Sequence, residues 1–244
     1  PAHKLMLGIE TQWNTLLEQR NFDVLPATSY LDSNRTSNTL GVFVQDELRL
    51  SPQWLLNLGL RHDKHSDYSA ITSPRAALIY QPNEGATLKV MAGSAYRAPN
   101  AYERFYDDGG VLQKSNPALL PERIRSVELA ADFQVGQAGR FGVNFYHNDV
   151  QDLIDQVLDP ADGLLVFTNQ SHVQTRGIDF NAERRWDGGY RVRGSLSRQW
   201  SSAADGSELG NAPQWLGKLV FGLPLVAGWT AGAEWQGMSE RRSL

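Results

Sequence analysis

The sequence of 244 residues contains no cysteine, so disulfide bonds, thiol chemistry and cysteine–zinc sites are excluded. It has no excess of positive charge either, because its formal net charge is −4 at pH 7. That balance gives no electrostatic reason to expect a nucleic-acid partner. No window approaches the roughly 20 consecutive apolar residues of a membrane helix. No segment resembles a signal peptide, and because the first residue is Pro1 we expect a chain processed or cut from something longer.

Apolar and polar residues alternate along most of the chain, for example in residues 54–63. A period of two over eight or more residues predicts strands with one apolar and one polar face. Asp46 falls on the apolar side of its strand, which either a local bulge or a place near the strand end would accommodate. Residues 152–168 are predicted to form a hairpin beyond the membrane. The alternation predicts eleven spanning strands, at 3–13, 39–50, 54–64, 72–80, 86–95, 122–135, 140–150, 171–185, 189–200, 213–223 and 228–238.

The connections between these strands alternate in length. Short turns rich in Gly, Pro, Asn and Asp lie at 51–53, 81–85, 136–139, 186–189 and 224–227. Longer links lie at 14–38, 65–71, 96–121, 151–170 and 201–212. Such an order is typical of an outer-membrane barrel, which has tight periplasmic turns and long external loops.

Aromatic residues distinguish a membrane barrel from a soluble one. Six of them flank the short turns, mostly on the apolar faces: Trp54, Tyr80, Phe141, Trp186, Tyr190 and Trp229. Trp200 and Trp215 flank a long loop at the other end. Two aromatic belts indicate the two interfaces of a bilayer. The polar faces carry too much charge for a closed interior, including Arg49, Arg61, Arg75, Lys89, Glu128, Arg191, Arg193 and Glu234.

These patterns predict an all-β fold: a segment of an antiparallel transmembrane β-barrel with about 11 spanning strands. Single-chain bacterial barrels usually have an even strand number. An odd number leaves two open strand edges that lipid cannot satisfy. We therefore expect the segment to be part of a larger barrel. We also expect Arg49, Arg61 and Arg75 to line a wet cavity and to pair with Glu47 or with carboxylates of an enclosed domain.

The alternation breaks at residues 93–106, which read GSAYRAPNAYERFY. Pro99 ends the hydrogen-bonded ladder, so 94–121 is predicted to be a long external loop with a short helix at 101–106. Its aromatic rings can stack on a flat chelate, and its arginines can pair with anionic oxygens. The alternative that each residue only packs the loop stays open. The predicted ligand-binding residues are Tyr96, Arg97, Tyr102, Arg104 and Tyr106.

The segment HDKHSD at 62–67 suggests a metal site or a protease dyad, but a polar external loop is the simpler interpretation. Successive strand residues face opposite sides, so His62 and Asp63 are expected to point apart. The sequence contains no phosphate loop, nucleophile elbow or HExxH motif. We therefore expect no catalytic residue, no metal site and no cofactor.

The phrases RAP at 97–99, NPALLPE at 116–122 and SVEL at 126–129 together resemble the late-barrel signature of TonB-dependent outer-membrane receptors. Further phrases are similar to this family and keep its order: GVFVQDELRLSP at 41–52, LGLRHD at 58–63, SPRAALIY at 73–80 and TRGIDF at 175–180. Tyr96 and Asp179 depart from the commoner Phe and Glu. The likeness covers nearly the whole chain, so residues 1–244 are expected to be one partial barrel domain.

The resemblance implies a bacterial outer-membrane protein with a 22-stranded barrel. It also implies a plug domain, an N-terminal segment that contacts the TonB complex, and a final strand, none of which is visible in this chain. The implied function is TonB-energised uptake of a scarce ligand, mostly a ferric siderophore, with cobalamin, haem and sugars as minorities. The implied partners are outer-membrane lipid, the TonB complex and an iron chelate or similar small ligand. A passive porin, a barrel enzyme and a soluble β-protein are the alternatives.

Overall fold

The computed structural model describes residues 2–170, 172–204, 206, 209 and 212–241. Eleven antiparallel strands form one open sheet, in which neighbours in space follow one another along the chain except where a two-stranded hairpin intervenes. The sheet contains β1 (His3–Val24), β2 (Ala27–Arg49), β3 (Trp54–His65), β4 (Ile71–Asn83), β5 (Ala86–Arg97), β6 (Glu122–Val135), β7 (Gly139–Gln151), β10 (Val173–Arg185), β11 (Arg191–Ala203), β12 (Trp215–Pro224) and β13 (Thr230–Met238).

The remaining elements are short. Strands β8 (Leu153–Leu158) and β9 (Leu165–Gln170) form the separate hairpin, and helix α1 spans Ala101–Phe105. A single 3-10 turn spans Val226–Gly228. Within the described ranges, no helix has the length and apolar character needed to cross a membrane. The prediction of eleven strands, an extra hairpin and a short helix after Pro99 is confirmed.

The link predicted at 14–38 is not a loop. Strands β1 and β2 continue through it as a paired hairpin that ends in a turn at residues 25 and 26, with register irregularities between Asn14 and Leu17 and between Asn21 and Phe22. A strand needs only about 9–11 residues to cross a bilayer, whereas β1 has 22. The additional residues of β1 and β2 pair with each other above the membrane. Because water lies on both sides of the hairpin there, apolar and polar residues do not alternate and the sequence does not indicate a strand.

The register confirms which residues share a face of the sheet. Phe145 lies opposite Ile178 and Val143 opposite Phe180, while Asn144 and Asp179 meet on the other face. The rings of Phe145 and Phe180 are 48% and 38% exposed, so they are not packed into a closed interior. The apolar face is the outer surface of the sheet, and the polar face lines the lumen.

Cysteine substitution provides a test of this assignment of faces. We expect a water-soluble maleimide to label Asn144→Cys in the complete receptor in cells, and to leave Phe145→Cys mostly unlabelled because lipid covers it. The two positions are adjacent, so strand position and expression are matched. Equal labelling of both would show that the apolar face is not covered by lipid.

Asp46 sits on the apolar face near the end of β2, which is the second of the two expected explanations, and no bulge is present there. Its strand pairs regularly on both sides at this position. Instead, Nδ1 of His3 lies 2.7 Å from Oδ2 of Asp46 on the neighbouring strand. A cross-strand partner, rather than a change of register, accommodates the carboxylate.

The conventional hydrophobic core lies at the outer end of the sheet. Among the described residues, the buried apolar side chains are those of Ile71, Leu119, Ile154, Val166 and Val173. Hydrogen bonds from Asn116 Nδ2 to the Phe167 carbonyl oxygen (2.8 Å) and from the Leu120 amide to Asn169 Oδ1 (2.8 Å) join the loop after α1 to β9. The external loop therefore packs on the β8–β9 hairpin.

Candidate functional site

Helix α1 begins with a reciprocal capping interaction that fixes the direction of the external loop. Oδ1 of Asn100 accepts a hydrogen bond from the Glu103 amide (2.9 Å), and Oε2 of Glu103 accepts one from the Asn100 amide (2.8 Å). These two contacts satisfy donors that the first turn would otherwise leave unpaired. They allow a helix of five residues to form soon after β5 ends at Arg97.

Arg97 lies between two carboxylates. Its Nε and Nη2 donate to Glu122 at 2.7 and 2.8 Å, and its Nη1 donates to Glu103 at 2.9 Å. This arrangement joins the end of β5 to the start of β6 and to α1. An anionic ligand would have to compete with both carboxylates for the guanidinium. In this structure Arg97 therefore holds the external loop in place.

Arg104 is also engaged within the chain. Its Nη1 donates to Asp67 at 3.1 Å and its Nη2 to the carbonyl oxygen of Pro117 at 2.7 Å. The side chain is only 12% exposed. Arg104 thus joins α1 to the segment after β3 and to the returning part of the loop. Direct ligand contact by Arg97 or Arg104 stays a prediction.

Tyr102 and Tyr106 form an aromatic cluster with Phe167. The Tyr102 ring lies 4.6 Å from that of Tyr106 and 5.9 Å from that of Phe167. The Tyr102 hydroxyl donates to Gln113 (3.1 Å), and the Tyr106 hydroxyl accepts from Asn21 (3.1 Å). Tyr102 is 47% exposed, so a ring held by two neighbours presents free surface to the outside.

A polar cavity of about 370 Å³ separates the external loop from the lumen face of β1–β3. We call it the vestibule. Its lining includes Glu10, Asn14, Arg61, Asp63, Tyr68, Tyr96 and Phe105. Tyr68 and Tyr96 meet edge to face at 6.4 Å. Burial raises the pKa of Tyr68, so its phenol remains a neutral hydroxyl at physiological pH.

The charges at the bottom of the vestibule pair with one another. Arg61 donates to both carboxylate oxygens of Asp63 (2.7–3.0 Å) and to Oε2 of Glu10 (3.0 Å). The Asp63 side chain is 1% exposed. The expectation of pairing with Glu47 is therefore wrong for Arg61, because the register places Glu10 and Asp63 within its reach. Gly41 leaves room for the guanidinium, since a Cβ there would overlap Arg61 and Asp63.

Arg35 is a cation beside the external loop that the sequence pattern does not single out. It is exposed on β2, and its Cζ lies 3.7 Å from the centroid of the Phe105 ring. We find no hydrogen bond or ion pair from Arg35 to any carboxylate in the described ranges. Its position on β2 has the same parity as Ser37 and Gly41, which line the vestibule. The sequence pattern predicts a loop at 14–38. The direction of a side chain cannot be assigned by alternation in a loop, so Arg35 could not be placed on the lumen face from sequence.

Three residues of the HDKHSD segment line the vestibule: Asp63, His65 and Asp67. Nδ1 of His62 lies instead 2.8 Å from Oγ1 of Thr72. The side chains of His62 and Asp63 point to opposite faces, as predicted. The described residues contain no group of three or more His, Asp or Glu side chains arranged to hold a metal ion.

Lys114 attaches the loop to the tip of the β8–β9 hairpin. Its Nζ donates to Asp159 at 2.5 Å and to Asp162 at 2.7 Å. These hydrogen bonds lower the pKa of both carboxyls. A carboxyl with a lowered pKa stabilises the folded contact above its unfolded pKa of about 4, and this stabilisation is lost as pH falls through the lower, folded value.

We expect Lys114→Gln to increase amide hydrogen exchange in residues 153–165 at pH 7. In the parent protein, acidification below about pH 4 should have the same effect, because protonated carboxyls no longer attract the ammonium group. Lys218→Gln, which removes a similar exposed contact to Glu234 on β12–β13, is the matched control and should leave 153–165 unchanged. Unaltered exchange in Lys114→Gln would show that apolar packing alone holds the hairpin.

Comparison with known proteins places the whole chain in one family. The sequence model described as "TonB dependent receptor-like, beta-barrel" matches residues 2–244. The chain is 27% identical over 172 residues to the iron-regulated outer membrane virulence protein of Vibrio cholerae, covering 69% of the chain and 26% of that protein. It is 30% identical over 131 residues to the vitamin B12 transporter BtuB of Vibrio cholerae, covering 54% of the chain and 20% of the transporter.

Solved structures share the fold. A mutant of the ferric enterobactin receptor of Pseudomonas aeruginosa, in complex with enterobactin, superimposes with a TM-score of 0.77 at 20% identity, covering 97% of this chain and 39% of the receptor. The chain thus spans only about a quarter or less of these two curated relatives and about two fifths of the solved receptor.

Proposed function

Because the chain belongs to the TonB-dependent receptor family of the bacterial outer membrane, we propose that it forms part of a receptor for TonB-energised uptake of a ferric siderophore. Two observations support this ligand class. Tyr102 on α1 is an exposed aromatic ring. Arg35 on β2 lies over the Phe105 ring of the same helix and has no carboxylate partner among the described residues. The family consists of transporters and receptors rather than enzymes, and we propose no chemical step.

An iron chelate suits these two groups. Its ligating oxygens carry negative charge that a guanidinium can bind with charge-assisted hydrogen bonds. Its flat chelating groups can stack on an exposed aromatic ring. The internal ion pairs of Arg97, Arg104 and Arg61 hold the surrounding walls, so the entrance keeps its shape before the ligand arrives. Such preorganisation reduces the entropy lost on binding.

Relatives support iron uptake without fixing the ligand. The iron-regulated protein of Vibrio cholerae favours a ferric compound, and the enterobactin receptor shows that the same fold holds a siderophore. The likeness to a vitamin B12 transporter makes cobalamin the second candidate. Arg35 favours the anionic chelate, because cobalamin carries no comparable cluster of anionic oxygens.

Binding and uptake by the complete receptor provide the test. We expect cells that express it to bind ferric enterobactin more tightly than cyanocobalamin, and to stop accumulating iron when the proton gradient is collapsed. Preferential binding of cyanocobalamin would overturn the proposed ligand class and leave energised uptake intact. Uptake that continues without the proton gradient would indicate a passive porin instead.

A further inference from the structure

The lumen face carries a group of arginines around one carboxylate at its inner end. The carboxylate is that of Glu183 on β10. The arginines are Arg140 on β7, Arg185 on β10, and Arg191 and Arg193 on β11. They lie next to the short turns that follow β6 and β10. We call these four arginines the inner arginine cluster.

The backbone register places the side chains of this group together. Glu183 lies opposite Arg140 on one neighbouring strand and opposite Arg193 on the other. Arg185 lies opposite Arg191. Directly opposite residues of an antiparallel pair project from the same face of the sheet and are close enough to interact. The whole group faces the lumen, because Glu183 and Arg185 continue the parity of the lumen-facing residues of β10.

One carboxylate cannot neutralise four guanidinium groups. Oε1 of Glu183 accepts a hydrogen bond from Nε of Arg185 at 2.6 Å. Oε2 accepts from Nη2 of Arg191 at 3.2 Å and from Nε of Arg193 at 3.3 Å. Arg140 is exposed, and no ion pair from it is found among the residues that the structure describes. Four arginines against one carboxylate leave a formal excess of three positive charges.

The excess charge can be reached from the lumen. The side chains of Arg185 and Arg193 are 63% and 56% exposed, whereas that of Glu183 is only 20% exposed. Like charges at neighbouring cross-strand positions repel one another. Guanidinium groups also form short, charge-assisted hydrogen bonds with anionic oxygens. An anion that enters between the arginines would therefore relieve their repulsion.

The lumen face above the cluster is polar and almost uncharged. From the outer end inward, the facing pairs of β10 and β11 include Thr175 with Ser201, Asp179 with Ser197, and Asn181 with Ser195. Asp179 is the one charged residue in these pairs, and Asn144 lies opposite it on β7. An anion that moves inward along this wall meets mostly neutral hydrogen-bonding groups first and a concentration of cations at the end.

We propose that the inner arginine cluster binds the anionic iron chelate at the end of its passage through the lumen. This inference rests on the proposed uptake of a ferric siderophore. Arg140 and Arg193 contact the chelate oxygens, and Glu183 holds Arg185 and Arg191 in position beside them. Charge of one sign along a cleft raises the local concentration of an oppositely charged ligand. The cluster therefore favours inward passage over return to the vestibule, which lies at the other end of the lumen.

Labelled iron in ferric enterobactin separates the two sites in cells that express the complete receptor. Binding without a proton gradient measures the outer site, and accumulation with the gradient measures passage through the lumen. We expect Arg140→Gln with Arg193→Gln to lower the maximal uptake rate about 10-fold, with no change in the affinity of surface binding. Arg140→Lys with Arg193→Lys should keep most of the uptake, because both positive charges remain.

The matched control is Arg184→Gln. Arg184 lies between Glu183 and Arg185 but faces outward, with its guanidinium 5.1 Å from the centroid of the Trp186 ring. Its replacement removes a cation at the same height and should leave uptake unchanged. A fall in uptake in this control equal to that of the double glutamine variant would show a general effect of charge at the rim, and the inference would be wrong.

The remaining outcomes separate this inference from the proposed function. Normal uptake in the double glutamine variant, with surface binding intact, would overturn the inference alone. A parent receptor that does not bind ferric enterobactin would overturn the proposed function and the inference with it. If the double glutamine variant admits a large antibiotic such as vancomycin, the cluster holds an enclosed domain in place rather than the chelate, which also contradicts the inference.

Discussion

Replacing Arg61 by methionine is expected to lower the unfolding free energy of the complete receptor by about 2–4 kcal/mol. The substitution leaves the Asp63 carboxylate buried without its main partner, and breaking a buried ion pair typically costs about 3–5 kcal/mol. We use a lower range because the Arg61 side chain is 37% exposed and water screens part of the interaction. The midpoint of urea unfolding in detergent measures the effect.

Two companion variants make this result interpretable. Arg49→Met removes an exposed arginine from the same polar face of the neighbouring strand and should change the midpoint little. Arg61→Met combined with Asp63→Asn should recover most of the lost stability, since no buried charge then remains unpaired. If the double variant is as unstable as Arg61→Met alone, the loss comes from packing of the arginine stem rather than from the unpaired carboxylate.

Removing both Arg35 and Tyr102 is expected to weaken binding of ferric enterobactin by about 2–4 kcal/mol, or roughly 30- to 1000-fold. Stacking on one ring contributes about 1 kcal/mol, and a charge-assisted hydrogen bond about 1.5–3 kcal/mol. Equilibrium binding to intact cells that express Arg35→Ala with Tyr102→Ala measures the change. The barrel should still insert, because neither side chain belongs to the hydrogen-bonded ladder of the backbone.

The matched control comes from the same extended hairpin. Arg20 is 59% exposed on β1 and lies 2.5 Å from Glu18, so Arg20→Ala removes a cation that is already neutralised. It should leave affinity unchanged at equal surface expression. Parent-like affinity in the double variant would assign Arg35 and Tyr102 to packing of the loop. The ligand site would then lie on other loops of the complete receptor or on a plug domain.

The spanning strands could be predicted from sequence because the membrane imposes a strict alternation on them. Phe145 and Ile178 were expected to share the lipid-facing side, and the register places them opposite each other on one face of the sheet. The outer half of the β1–β2 hairpin could not be predicted in the same way. Both of its faces meet water, so the residues around Arg35 carry no apolar alternation. Arg35, which lies over Phe105, could therefore not be identified from the sequence.

The position of the external loop could be predicted, but the contacts of its arginines could not. GSAYRAPNAYERFY does form the external break, and its tyrosines do cluster. The partners of Arg97 and Arg104 come from distant parts of the chain: Glu122 on β6, Asp67 after β3 and the carbonyl of Pro117. Contacts between residues this far apart leave no local sequence pattern. The sequence alone therefore cannot distinguish an arginine that holds a loop in place from one that binds a ligand.

The buried apolar cluster above the membrane gives the molecule two layers that depend on different forces. The spanning strands keep their hydrogen bonds because lipid offers no competing partners. The layer formed by the external loop and the β8–β9 hairpin depends on burying Leu119, Ile154 and Val166 away from water. Urea weakens that second force by solvating apolar and peptide groups. Moderate urea should therefore open the entrance while the wall beneath it stays intact, so loss of ligand binding would precede loss of the barrel.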